Sequence, residues 1–592
     1  MRSLILNLML CATLVALAAC ARAPIPSADV EPTLSSVAAP LPTRAAPTGT
    51  PQPASPTARA KVLRVNLGLR PETLDPQRAA TSTELAILQL VYEGLTRLDE
   101  KGAVLSGAAD KWEFTSDKTL AFHLRPGLKR ADGTALTARD FELAYKRTLD
   151  PRLGAPYPSL LDDAQNALAA YTFDPQARAE DIERHLASVG IKALDDHTLG
   201  VWLNQPANYW LTLAALWVGF PADARKIENE PDTWWLKPEN HNGNGPFKFV
   251  EIRDEVIKLA PNPNYWGGAP KIDRIEFYWI VDAAAVDSYR NGELDVIRVT
   301  PDNVGVAQAD PRLSQELVRL PAARVTYLGF NLKRAPFSDK VVRKAFSQAL
   351  DRDGLVRDAL KGLGKPQLSW IPPGVRGYDE TATVPGFNAQ AAAQTLLDGG
   401  YGTPDKKRID CAKLGALKLT FANTPRAQTL FQTLAGNLTR VFACPVALEP
   451  VEPNAYSTFI RDPKTTPQVY LLSWEQEYPH PQNWLFLHAC GGVFAARLGY
   501  CNRDFDAAFT AANQELDADK ALAKYQAAQK IFVNDLAGAF LWHNENAFLV
   551  KPYVLGWRER AGASDSVLPG QFAAPLTFDI DLARVGAGYP GR

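Results

Sequence analysis

The sequence carries almost no net charge, formally −1 at pH 7 over 592 residues, and no basic block stands out. A nucleic-acid partner needs a basic stripe against its phosphates, so that class of function is set aside. Histidine is scarce, with seven copies scattered along the chain. His480, His488 and Cys490 form the grouping that invites a metal, but no CxxC pair supports zinc, and no metal site is assigned. Enzyme signatures are missing as well: there is no Gly-x-Ser-x-Gly elbow, no HExxH and no P-loop. Gly362-Leu363-Gly364-Lys365 lacks both the Walker spacing and the following Ser or Thr. Gly243-x-Gly245 lacks the third glycine of a dinucleotide loop and reads as the turn before a strand. A non-enzyme without a cofactor is expected. No internal repeat is seen.

Long apolar runs are equally few. Leu4 to Ala19 contains no acid or base, yet it is short for a membrane span, which needs ~20 residues. Arg2 precedes it, and Leu17-Ala18-Ala19-Cys20 closes it with small residues before a cysteine. This looks like the lipobox of a bacterial lipoprotein signal peptide, residues 1–19, cleaved so that Cys20 becomes the acylated first residue. Residues 20–60 continue as Ala, Pro, Thr and Ser with almost no aromatic residue. Such a stretch cannot bury enough surface to offset its ordering entropy, and reads as a tether between lipid and folded body.

The chain is too long for one hydrophobic core, so two or three domains are expected. Cys11 leaves with the signal and Cys20 carries lipid. Cys411, Cys444, Cys490 and Cys501 remain, and in an exported chain they suggest two disulfides. Sequence proximity favours Cys411–Cys444 and Cys490–Cys501, with three connectivities open. From Lys61 onward strand and helix periods mix, which gives an α/β class with mixed sheets. Leu63, Val65 and Leu67 alternate in a strand. Phe247–Val250 and Val256–Leu259 flank a polar turn as a hairpin, and Ile275, Phe277 and Trp279 alternate in a further strand. After Ser338, read as an N-cap, Val341, Val342, Ala345, Phe346, Ala349 and Leu350 share one helical face. Leu522, Tyr525, Phe532 and Leu536 do the same near the C-terminus.

Several segments in register resemble the oligopeptide- and dipeptide-binding proteins of ABC importers, the bacterial extracellular solute-binding proteins of family 5. They are Pro71-Glu72-Thr73-Leu74-Asp75-Pro76, Val91-Tyr92-Glu93-Gly94-Leu95, and Asp132-Gly133-Thr134 through Asp140-Phe141. Further on come Gly243-Asn244-Gly245-Pro246-Phe247-Lys248 with Asn262-Pro263-Asn264-Tyr265-Trp266, Asn331 to Asp339, and Ser473-Trp474-Glu475-Gln476-Glu477-Tyr478-Pro479. The resemblance implies a two-lobed periplasmic-binding-protein fold with an extra third domain. Lobe I would combine residues 61–105, 220–325 and 540–592; the extra domain would be 106–219 and lobe III 326–539. It further implies a monomer, lipid-anchored outside the cytoplasm, that closes on short peptides and delivers them to ABC permease and ATPase subunits. A non-peptide ligand such as a metal chelate, haem or sugar, or an orphan envelope lipoprotein, remains the alternative.

The resemblance also implies site residues. Glu477, where the family more usually has Asp, would receive the peptide's α-ammonium. Ser473 and Trp474 would offer the strand to an extended ligand by β-augmentation. Arg461 would meet the ligand carboxylate with its planar fork. Tyr456 would be a pocket aromatic, and Tyr157 would cover the ligand from the extra domain. Trp542 and His543 fall near a cleft-lining segment.

Overall fold

The computed structural model describes residues 60–558, 567–568 and 576–585. The expected signal segment, Cys20 and the tether up to residue 59 lie outside the described residues. Among the described residues no helix is long and apolar enough to cross a membrane.

The strand Val62–Asn66 shows why the first part of the chain is central. It pairs in parallel with Arg274–Tyr278 on one side and with Val296–Val299 on the other. Val62, Leu63, Val65 and Asn66 are all buried, so the expected one-sided alternation gives way to a strand covered on both faces. The hairpin expected around residue 253 is present: Phe247–Ile252 pairs antiparallel with Ile257–Pro261, and Arg253 N–H closes the turn on Val256 O at 3.0 Å. Before it, Gly245 comes so close to the end of helix Ser82–Val91 that a Cβ there would stand 2.6 Å from the Val91 carbonyl carbon. No other residue fits that approach.

These strands belong to one long mixed sheet. Its order runs from Val446–Val451 through Leu417–Ala422, Val469–Glu475, Leu317–Phe330, Gly538–Val550 and Val296–Val299. It continues to Val62–Asn66, Arg274–Tyr278 and the hairpin. Leu317–Phe330 and Gly538–Val550 are long and pair antiparallel from Leu317↔Leu549 to Gly329↔Gly538, with the register shifting between Pro321 and Val325. Beyond that shift the two halves build separate cores. One gathers Leu63, Phe277, Phe122 and Trp210; the other packs Phe346, Leu419 and Leu438 on one sheet face and Trp370, Trp484 and Phe532 on the opposite face. Two lobes joined by two crossing strands is the architecture. A separate four-stranded antiparallel sheet, Ala109–Ser116, Thr119–Leu124, Thr198–Trp202 and Ile191–Ala193, packs on the first lobe and shares its core.

In the second lobe the helix Lys340–Gln348 is capped one residue later than the sequence suggested. Asp339 Oδ1 accepts the Val341 N–H at 2.8 Å, and its negative charge suits the helix start better than the Ser338 hydroxyl. Helix Ala518–Asp535 buries Tyr525 and Phe532 as the period implied. Cys411 is joined to Cys444 and Cys490 to Cys501, with Cα atoms 5.5 and 4.7 Å apart.

Candidate functional site

The strand Val469–Glu475 is paired fully on one side and barely on the other. Against Leu317–Phe330 it runs from Val469↔Phe330 to Glu475↔Arg324. On its far side Leu417–Ala422 meets only Val469 and Tyr470. Past Tyr470 that edge carries no strand among the described residues. The buried Tyr456, from helix Pro453–Arg461, occupies its first position: its hydroxyl accepts the Leu471 N–H at 3.2 Å and lies 3.4 Å from Leu471 O. Main-chain groups alternate with a period of two, so Ser473, two residues on, turns its N–H and C=O to the same open side. The Ser473 side chain is exposed and donates to Val325 O at 3.2 Å. Trp474, on the opposite sheet face, sits half-buried with its ring 6.1 Å from Phe486 and 5.9 Å from Phe494.

After the strand, Gln476 N–H still bonds Ala323 O at 2.9 Å, and the chain then turns into Glu477. Buried Asn483 clamps this residue, accepting its N–H at 3.0 Å and donating to Oε2 at 3.2 Å. Burial pushes the Glu477 carboxyl above its usual range, and the Asn483 bond opposes this. Among the described residues no Lys or Arg forms an ion pair with it. Tyr157 is held edge-on against Trp217 with rings 5.4 Å apart and its hydroxyl 3.5 Å from Ala80 O. Burial raises the Tyr157 phenol, and the charges of Glu477, Glu475 and Glu84 add to the effect. The Glu477 charge thus acts on the Tyr157 phenol. Glu475 itself pairs with Arg324 at 2.6 Å, and Glu84 caps its helix.

Arg461, the last residue of its helix, is exposed and lies in the electrostatic range of Arg497, a residue that sequence reasoning missed. Trp542 and His543 are both buried on the crossing strand; Trp542 enters the second lobe's core and His543 Nδ1 lies 3.0 Å from Gln367 Oε1. The cavity of about 560 Å³ at the crossing is lined instead by Asn544, Glu545 and Asn546, with Leu69 and Thr300 from the first lobe and Arg426 from the second. Thr300 Oγ1 and Asn544 Oδ1 are buried there with no partner in the protein. The polar run His543-Asn544-Glu545-Asn546 in an otherwise apolar strand was the available signal. The grouping of His480, His488 and Cys490 dissolves: Cys490 is bonded to Cys501, and His488 stacks on Phe532 at 3.9 Å in the core.

An unpaired, half-buried carboxylate beside an open strand edge suits an ammonium followed by extended main chain. Residues 103–493 match the model of bacterial extracellular solute-binding proteins, family 5. The chain is 30% identical over 515 residues to the Escherichia coli (strain K12) protein named "Probable deoxycholate-binding periplasmic protein YgiS", covering 85% of this chain and 92% of that one. It is 28% identical over 505 residues to the periplasmic murein peptide-binding protein MppA of the same organism, covering 82% and 88%. Among solved structures, the unliganded open form of the MppA murein tripeptide binding protein superposes with a TM-score of 0.76 at 25% identity, covering 88% of this chain and 98% of that one.

Proposed function

The chain belongs to the bacterial extracellular solute-binding proteins of family 5, and on that premise we propose that it captures short peptides outside the cytoplasm and delivers them to an ABC permease with its ATPase. The observation that carries this reading is Glu477: a half-buried carboxylate without a cation, clamped by Asn483, at the end of a strand whose edge is open at Ser473. A peptide answers both features, its ammonium meeting the acid and its backbone extending the sheet. Closure of the lobes about the crossing strands completes the burial. Members of the family bind solutes rather than transform them, which supports a non-enzymatic role.

Peptide fits better than the nearest alternative. Deoxycholate, for which one relative is named, carries a carboxylate and no amine, and would leave Glu477 buried against an uncharged surface. The lipobox at Leu17–Cys20 supports anchoring to the membrane through acylated Cys20, and two disulfides suit an exported chain. Thermal denaturation with a random short-peptide pool tests the reading. Stabilisation should grow with ligand excess over its dissociation constant. No shift with any peptide pool, combined with a shift on adding deoxycholate, removes it.

A further inference from the structure

The two lobes meet again beside the crossing strands, at the segment that carries Glu477. Among the described residues, Tyr478 is the only member of the first lobe's buried core that comes from residues 331–537, the stretch between those strands. Gly102, in the turn between strands Thr96–Leu98 and Val104–Ser106, lies against the next residue: a Cβ there would stand 2.7 Å from Pro479 O. His480 follows, its ring against Tyr209 of the first-lobe core and Tyr525 of helix Ala518–Asp535, with centroids 6.0 and 5.2 Å away.

Asn208 widens this contact. It follows the strand Thr198–Trp202, and its side-chain amide donates to Ala512 O at 2.8 Å and to Glu515 O at 2.6 Å. Its backbone N–H donates to Asn513 O at 3.1 Å. These carbonyls belong to the last turn and the cap of helix Arg503–Gln514, so a residue on the first-lobe side closes a helix of the second lobe. The Tyr525 hydroxyl, on a side chain 1% exposed, lies 3.1 Å from Asn208 Oδ1. Parting the lobes here would put the Tyr478 ring into water and strip that helix of its cap.

Contacts that hold while two bodies rotate define the hinge axis, and atoms on the axis stay in place. Glu477 stands between two such fixtures. One residue before it, Gln476 N–H bonds Ala323 O at 2.9 Å, within the register shift of the crossing strands. One residue after it, Tyr478 is seated in the first-lobe core. We infer that Tyr478–His480 and Asn208 together form a second pivot for lobe closure, and that Tyr478 positions Glu477 on the hinge axis. The acid that takes the ligand's ammonium is then in place in the empty protein, and the amine docks before the lobes close. This rests on the peptide-binding reading above. An acid set in advance loses little freedom when the ligand arrives.

Hydrogen exchange of the full wild-type chain, with and without a saturating pool of random free-amine tripeptides, tests the pivot. The Asn208, Gln476 and His480 amides donate within it. They should exchange slowly in the empty protein and change less than about threefold on binding. Rapid exchange of these amides in the empty protein, or a larger slowing on binding, overturns the inference and leaves peptide capture standing. Calorimetry tests the positioning. The wild type should bind the free-amine pool about tenfold or more tighter than its N-acetylated counterpart. Tyr478→Ala should erase that preference, and Tyr478→Phe, which keeps the ring, should retain it. A preference that survives in a folded Tyr478→Ala protein overturns the positioning role; if that variant does not fold, the exchange experiment on the wild type decides. Equal binding of the two pools by the wild type removes the ammonium contact and the inference with it. If the wild type binds neither pool, peptide capture falls as well.

Discussion

Asn483 grips Glu477 at two points, taking its backbone N–H at 3.0 Å and giving an amide N–H to Oε2 at 3.2 Å. The amide fixes where the carboxylate stands without neutralising it, and leaves Oε1 for a ligand donor. Glu477→Gln keeps the shape and the Asn483 contacts but removes the charge. Affinity for free-amine peptides is expected to fall at least about tenfold by calorimetry, because a charge-assisted bond is lost. N-acetylated peptides should not discriminate between the two proteins, and the melting temperature should be retained. Unchanged affinity for free amines would take Glu477 out of the site.

The raised Glu477 pKa has a measurable counterpart in ligand binding. Burial favours the protonated acid in the empty site, whereas an arriving ammonium favours the carboxylate, so its pKa drops on binding. Binding near the raised pKa therefore releases a proton. Affinity is full above that pKa and declines as pH falls through it toward the lower value of the complex. Titrations in buffers of different ionisation enthalpy should show proton release at mildly acidic pH and none at pH 8. Glu477→Gln should show neither the release nor that pH dependence.

Much of this was legible in the chain, and what was not has physical reasons. Glu477 could be singled out because Trp474-Glu475-Gln476-Glu477-Tyr478 resembles the Trp-x-x-acid-Tyr segment of the family; a strand, an acid and two aromatics alone would not mark it. Asn483 could not, since a single Asn in Pro481-Gln482-Asn483-Trp484 has no period to mark it as a clamp. The resemblance offers Tyr456 as a pocket aromatic, but nothing in the residue type shows that its hydroxyl also holds the Leu471 main chain. Arg497 was passed over because only folding carries it under the sheet beside Tyr327 and Tyr470, which lie 170 and 27 residues away in sequence (497 − 327 and 497 − 470). The double burial of Val62–Asn66 was missed because alternation was sought in a strand that has parallel neighbours on both sides.

The open edge at Ser473 makes proline a selective probe. Its N–H faces away from Leu317–Phe330, so Ser473→Pro removes no ladder bond within the sheet, and proline is tolerated on a strand's unpaired side. The variant should melt within a few degrees of the wild type. It cannot donate to an added strand, so peptide affinity should drop about tenfold by titration. Wild-type affinity in a folded Ser473→Pro protein would show that ligands do not pair with this edge.

The two disulfides should contribute by restricting the unfolded chain. They close loops with sequence separations of 33 and 11 residues, for which the chain-entropy relation gives about 3–4 kcal/mol and about 3 kcal/mol. Cys411→Ser/Cys444→Ser is therefore expected to lower stability in urea somewhat more than Cys490→Ser/Cys501→Ser. A reducing agent that leaves the urea midpoint of the wild type unmoved would contradict both bonds.

His488 should make the fold sensitive to acid. It is 0% exposed, its ring stacks on Phe532 at 3.9 Å, and neither ring nitrogen has a partner in the protein. Burial pushes its pKa down to about 3. The native state thus refuses a proton that the unfolded chain accepts near the ordinary histidine value of about 6.5. The resulting stability is complete above about pH 6.5 and is lost progressively as pH falls toward the folded value, by at most about 1.4 kcal/mol per pH unit for this one group. Urea titrations at pH 7.5, 6 and 5 should record that decline. His241, also buried and pushed down to about 4, adds to it, so His488→Leu should flatten the curve without levelling it. If the wild type and His488→Leu lose stability in parallel over this range, His488 is not buried neutral in the core.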